Sequence, residues 1–306
     1  MASGWGACAS RGSSSAAQRP EPPVPELPEV ETTRRQLVEG GLLERTIERV
    51  QVQWTPTVGG DAALFSDLIA GRRFVAARRR AKYLLLDLDG GITALCHLRM
   101  SGRLACLPAD RPESGYERLT LTLAGGLELR FHDPRKFGRF LLEEDADQRL
   151  ADLAPEPLGD QFTVRHAARY LRGRSRMLKP LLLDQRALVA GLGNIYVDEA
   201  LWLARLHPCA PASSLTRREA EALHNAVRTV IQRGINNLGT SLGRGKTNFK
   251  LPSGDSGANQ EQLAVFRRTG ANCPRGDEGV VQRLVVGQRS THICPVCQRR
   301  PRARKR

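Results

Sequence analysis

No stretch of the 306-residue sequence approaches the roughly 20 consecutive apolar residues that a bilayer-spanning helix needs, so a soluble protein is expected. The opening 24 residues are rich in Ser, Ala, Gly and Pro and lack the apolar run of a secretory signal peptide. Cysteines number only seven, an odd count without regular spacing. With no export signal, that argues against a disulfide scaffold and for a reducing cytoplasm, with Cys96, Cys106 and Cys209 read as buried or structural thiols. Acids are scarce as well: 32 Asp and Glu face 47 Lys and Arg, giving a formal charge of +15 and a pI near 10.3. A polyanionic partner is expected, nucleic acid first.

A chain of this length predicts roughly two domains. Residues 26 to 39 read as a helix, with Pro28 in its first turn and Gly40-Gly41 as its stop. From about 45 to 142 the pattern is that of strands. Leu84-Leu85-Leu86-Asp87-Leu88 runs into Asp89-Gly90-Gly91, and Leu119 to Leu123 runs into Gly125-Gly126 before Leu127 to Phe131, which predicts hairpins in a β-sandwich. Ala154-Pro155-Glu156-Pro157-Leu158-Gly159 reads as a linker. Beyond it the period becomes helical, with Thr216 and Glu219 as a capping box ahead of Leu223, Val227, Val230 and Ile231. A Gly-, Ser- and Asn-rich loop, 239 to 260, precedes a short hairpin between Cys273 and Cys297.

The string Pro25-Glu26-Leu27-Pro28-Glu29-Val30-Glu31 resembles the opening of the formamidopyrimidine-DNA glycosylase family, in which the proline is the amino terminus and the nucleophile. The likeness extends from Pro25 to Gln298. It implies an α+β fold: an N-terminal β-sandwich with flanking helices over 25–153, a helical helix-two-turn-helix domain over 160–260, a zinc-finger-like hairpin over 261–300 and a basic tail at 301–306. Residues 1–24 stand outside it. An internal proline nitrogen is a tertiary amide, whereas a terminal one is a secondary amine able to attack a sugar carbon. Val24 occupies the place of the family's initiator methionine, which suggests a start at that codon followed by methionine excision. A tail removed by a protease would equally free Pro25. A retained tail would leave a non-catalytic lesion-binding protein.

By resemblance Glu26 is the general acid and base, Glu29 holds the terminal amine, and Lys82 reaches phosphate and base at the lesion. A base in duplex DNA must be flipped out before its sugar can be attacked, and the hole must be filled. Met100 in His97-Leu98-Arg99-Met100-Ser101-Gly102, and Arg135 and Phe137 in Asp133-Pro134-Arg135-Lys136-Phe137-Gly138, match the family's void-filling set, with Arg135 facing the widowed cytosine. The run from Lys179 through Gly191-Leu192-Gly193-Asn194 to His207-Pro208 resembles the helix-two-turn-helix. There a glycine-rich turn opens a helix whose free N–H groups suit a phosphate, and Lys179 and Asn194 add donors. The loop Gly239 to Lys246 stands where relatives cover the extruded base; a flexible basic linker is the competing reading.

Relatives end in a zinc hairpin with two Cys-x-x-Cys knuckles. Here Cys294-Pro295-Val296-Cys297 is intact, and Arg289 before it matches a phosphate-gripping arginine. The first knuckle reads Cys273-Pro274-Arg275-Gly276-Asp277, with glycine at the second cysteine's place and one extra residue. Zinc held by Cys273, Asp277, Cys294 and Cys297 is expected, with His292 in reserve. The competing expectation is a zincless hairpin held by Val280, Leu284 and Val286. The whole implies a monomeric, bifunctional base-excision repair enzyme, glycosylase and abasic-site lyase, that removes 8-oxoguanine and formamidopyrimidines from double-stranded DNA by β,δ-elimination. An endonuclease VIII-like specificity for oxidised pyrimidines is the alternative, disfavoured by Leu27-Pro28 and by the Arg135-x-Phe137 pair.

Overall fold

The computed structural model describes residues 25–242 and 256–300, which fall into two compact units. One comprises the described residues up to Asp152 together with the described part of 233–261. The other comprises 153–232 with the chain from Gln262 onward.

The first unit begins with α1 (Leu27–Glu39). Pro28 suits the first turn because its missing N–H has no helical partner there. The Glu29 carboxylate supplies the acceptor that the Glu26 N–H needs, at 2.9 Å. At the other end Gly41, at φ 80°, allows the reversal in which Leu42 N–H donates back to the Leu37 carbonyl at 3.1 Å. Strands β1 (Ile47–Val52), β2 (Phe74–Arg80), β3 (Tyr83–Leu88), β4 (Thr93–His97), β5 (Arg103–Pro108), β6 (Glu117–Leu123), β7 (Leu127–His132) and β8 (Arg139–Glu143) follow, with α2 (Ala62–Ile69) after β1 and α3 (Ala146–Arg149) after β8.

They form two four-stranded antiparallel sheets, in the orders β1-β6-β7-β5 and β2-β3-β4-β8. Leu84, Leu86, Ala94 and Phe140 of one sheet share a single core with Leu104, Leu119, Leu121, Leu129 and Phe131 of the other, so the expected sandwich is present. Val30 and Leu37 of α1 join that core, which fixes the helix against it. The turns at Gly90-Gly91 and Gly125-Gly126 adopt positive φ as their positions required.

The second unit carries α4 (Val164–Leu171), α5 (Leu178–Leu183), α6 (Asn194–Leu203), most of α7 (Arg217–Asn236) and the hairpin β9 (Gln282–Val286) with β10 (Arg289–Ile293). The Thr216/Glu219 capping box forms: Thr216 N–H donates to Glu219 at 2.8 Å, and Glu219 N–H to the Thr216 hydroxyl at 3.2 Å. The loop after α7 groups with the sandwich rather than with the helices. Thr240 N–H donates to Glu29 Oε1 at 2.7 Å, and Asn259 Nδ2 to the Thr240 hydroxyl at 2.8 Å. Cys96 and Cys106 are free thiols, as read; Cys209 is buried but disulfide-bonded, which corrects its reading as a thiol.

Candidate DNA-repair site and metal centre

In the first unit Pro25 is buried immediately before the helix, followed by Glu26 and Glu29, each almost without solvent exposure. Glu29 accepts two backbone N–H groups, from Glu26 and from Thr240. It therefore ties the head of α1 to the loop that follows α7, a link invisible in the sequence.

Lys82 sits in the two-residue turn Ala81-Lys82 between β2 and β3, not on a strand, with Ala81 at φ 51°. Beside it lies His97, whose pKa falls to about 3 because burial and the positive Arg99 and Lys82 all oppose protonation. Neutral His97 packs edge-on against Tyr83 at 4.6 Å, and its Nδ1 accepts the Arg99 N–H at 3.0 Å. It thereby shapes the turn that carries Met100. The Asp133 to Gly138 turn holds Arg135, whose guanidinium lies 5.0 Å from the Phe137 ring, and that ring is 47 % exposed. Exposure of so large an apolar ring fits a wedge and not a core residue. The structure thus brings Arg135 and Phe137 together.

The second unit places Gly191 at φ 92° three residues ahead of the first residue of α6, where Gln185 Oε1 accepts its N–H at 2.8 Å. Gly193 is extended, at φ −127°, so its conformation does not demand glycine. Asn194 Nδ2 donates to the Ser290 carbonyl at 2.9 Å. Lys179 is fully buried; its Nζ donates to Asp198 at 2.6 Å and to the Ser290 carbonyl at 2.8 Å. That corrects the expectation of a direct phosphate contact, since an ammonium without solvent exposure cannot meet a phosphate. It instead holds the strand whose exposed neighbour, Arg289, stands at the hairpin tip. Glu199, unnoticed in the sequence, accepts the N–H groups of Ala264, Val265 and Phe266 at 2.8 to 2.9 Å. Residues 243–246 of the loop from Gly239 to Lys246 lie outside the described residues.

At the hairpin base Cys273, Asp277, Cys294 and Cys297 present one ligand atom each, all within 4.8 Å of one another. Zn–S bonds of about 2.3 Å set a tetrahedral edge of about 3.8 Å, so three thiols and a carboxylate at this spacing fit a four-coordinate ion with small adjustment. Asp277 Oδ2 lies 3.4 Å from Cys273 Sγ and 3.5 Å from Cys294 Sγ. The extra residue of the first knuckle thus delivers its carboxylate to the vacant corner. Gly279 is required beside it: a Cβ there would lie 2.4 Å from Cys294 Sγ. Two donors from neighbouring groups face the sulfurs, Arg275 to Cys297 at 3.1 Å and Trp202 Nε1 to Cys273 at 3.5 Å. His292, the reserve ligand, lies against Asp198 and Phe266 instead. Of the apolar residues expected in the hairpin, Val286 is buried and Leu284 half-buried, whereas Val280 is exposed and its neighbour Val281 packs with Ala264 and Val265 instead.

Among the described residues no helix is long and apolar enough to cross a membrane. Residues 24–140 match the model of the formamidopyrimidine-DNA glycosylase N-terminal domain, and 153–244 that of the same family's H2TH domain. A formamidopyrimidine-DNA glycosylase of Herpetosiphon aurantiacus is 44% identical over 278 residues, covering 90% of this chain and 100% of that protein. The Lactococcus lactis enzyme in complex with Fapy-dG containing DNA is similar at a TM-score of 0.82 and 33% identity, over 90% of this chain and 100% of that one. Its complex with DNA containing an abasic site gives 0.82 and 32% over the same shares. The sandwich with its buried Pro25-Glu26 pair, the α6 turn and the cysteine-rich hairpin, taken with these matches, place the chain in the formamidopyrimidine-DNA glycosylase family.

Proposed function

We propose that this DNA glycosylase excises oxidised purines, 8-oxoguanine and formamidopyrimidines, from double-stranded DNA, and cleaves the resulting abasic site with Pro25 as its amino-terminal nucleophile. The observation that carries the proposal is the buried Pro25-Glu26 pair at the head of α1, held by Glu29. The Pro25 amine attacks the sugar C1′ and the bond to the base breaks, the base leaving with a proton; the C1′–O4′ bond then opens as O4′ is protonated, leaving an iminium ion whose positive charge drives β- and then δ-elimination. Glu26, next in the chain, is the proton carrier. Met100, Arg135 and Phe137 fill and read the vacated stack; Lys82 of the first unit, and separately Asn194 and Arg289 of the second, engage DNA phosphates.

Zinc is the proposed ion of the Cys273, Asp277, Cys294 and Cys297 set, because three thiolates select a soft, tetrahedral cation. When bound, it would hold the hairpin base and leave the chemistry to Pro25.

Intact mass of natively expressed protein, followed by borohydride trapping on 8-oxoguanine DNA, tests the mechanism. Protein beginning at Pro25 forms a covalent adduct, and Glu26→Gln loses base excision. Full excision by protein that still carries residues 1–24 would refute the amine mechanism, since Pro25 would then be an amide.

A further inference from the structure

We propose that Asp133 is a positioning residue that locks the two duplex-opening turns into one body, so that insertion of Met100 and reading of the opposite base by Arg135 occur together. The inference rests on the roles given to Met100 and Arg135 above. Asp133 itself is not aimed at DNA: it is 1 % exposed.

Its carboxylate is filled from two directions. Oδ1 accepts the Ser101 hydroxyl, from the residue directly after Met100, and the Arg135 N–H at 3.1 Å. Oδ2 accepts the N–H groups of Phe137 and Gly138, both at 2.7 Å. Four donors on one buried carboxylate hold its charge inside the protein and fix the backbone on either side of the Arg135–Phe137 wedge. Gly138 makes the approach possible, because a Cβ there would fall 2.3 Å from the Phe131 ring and 3.2 Å from Asp133 Oδ2.

The surroundings hold the turn from outside as well. The Asp133 N–H donates to the Tyr116 carbonyl at 2.9 Å, and the Asp133 carbonyl accepts from Arg118 Nε at 2.8 Å. Lys136, at a left-handed φ of 62°, places its ammonium 4.0 Å from the centre of the Trp54 ring. A wedge must keep an apolar ring in water and meet the DNA without reordering. A turn already fixed by its own hydrogen bonds avoids the ordering cost at the moment of binding. Sharing one carboxylate with the Ser101 hydroxyl gives the Met100 turn the same reference point.

The experiment uses protein beginning at Pro25 and its Asp133→Asn and Ser101→Ala variants. Asparagine keeps the volume but turns an NH2 group toward backbone N–H donors. One readout is the ratio of 8-oxoguanine excision opposite C to that opposite A. The other is the fluorescence rise of 2-aminopurine placed beside an uncleavable tetrahydrofuran site in duplex DNA, which reports unstacking without chemistry. Asp133→Asn is expected to lower the opposite-base ratio and slow the rise by at least about tenfold, the effect of losing a charge-assisted buried hydrogen bond. Its duplex losses should far exceed any loss of borohydride trapping on single-stranded abasic DNA, where no stack is opened. Ser101→Ala should slow the rise more than it lowers the ratio. A folded Asp133→Asn protein with the parent's ratio and rise overturns the proposal; if that variant fails to fold, a parent-like rise in Ser101→Ala does so. Absence of trapping in the parent itself would sink the glycosylase-lyase mechanism, while the 2-aminopurine measurement would still judge Asp133.

Discussion

Lys179→Met is expected to damage the second unit's stability and leave the salt dependence of DNA binding intact. Lys179 and Asp198 both have side chains of 0% exposure and meet at 2.6 Å, and Asp198 Oδ2 also accepts the His292 N–H at 2.8 Å. Methionine fills most of the volume but strands the Asp198 charge. Removing one partner of such a pair costs about 3–5 kcal/mol, because the other charge stays buried without its counter-ion. Urea unfolding followed by the fluorescence of Trp202, a residue of the same unit, measures that loss. Adding Asp198→Asn to Lys179→Met should recover a large part of it, since the amide is neutral and its oxygen still accepts from His292. Binding affinity should keep its slope against salt, because an ammonium without solvent contact releases no counter-ion. A Lys179→Met protein within about 0.5 kcal/mol of the parent, with a slope reduced by about one phosphate contact, would refute the buried-pair reasoning.

Arg289→Ala should show the opposite behaviour, with unchanged urea stability and a salt slope lowered by about one contact in fluorescence-anisotropy titrations. Glu31 should stabilise the first unit in a pH-dependent way. Burial raises its pKa, but hydrogen bonds from Arg34 and Arg35 and the charges of Arg34 and Arg79 win, taking it from 4.5 to about 2. Because the folded value is depressed, its contribution, about 3 kcal/mol, is complete above pH 4.5 and disappears as pH falls through 2. Glu31→Gln should therefore lose stability at pH 7 and converge on the parent near pH 2 in urea titrations, and a constant gap would contradict this. On the zinc proposal, elemental analysis should find about one zinc per chain in the parent and less in Asp277→Ala; no zinc in the parent refutes the site, and full retention by the variant places the fourth ligand elsewhere.

The second unit shows where local sequence signals stop. Thr216 and Glu219 announced the start of α7 because a capping box is made within one turn of chain, and Gly90-Gly91 and Gly125-Gly126 announced their hairpins because positive φ is a property of the residue itself. The seven residues from Pro25 to Glu31 likewise identified the family, and the Cys-x-x-x-Asp spacing pointed to the four residues that lie together and could hold a metal ion. Asp133, Glu199 and the Lys179–Asp198 pair carry no such signal. An acid surrounded by ordinary residues does not reveal which N–H groups will meet it, and Glu199 finds its three donors 65 to 67 positions away. Lys179 read as a phosphate ligand because it opens the run that resembles the helix-two-turn-helix, and only the packing of α5, α6 and β10 takes it out of water. What the sequence determined by itself was the set of conformations and chemistries that a few neighbouring residues can specify. Tertiary structure alone decided which charges are buried and what they hold, because burial depends on segments that become neighbours only after the chain has folded.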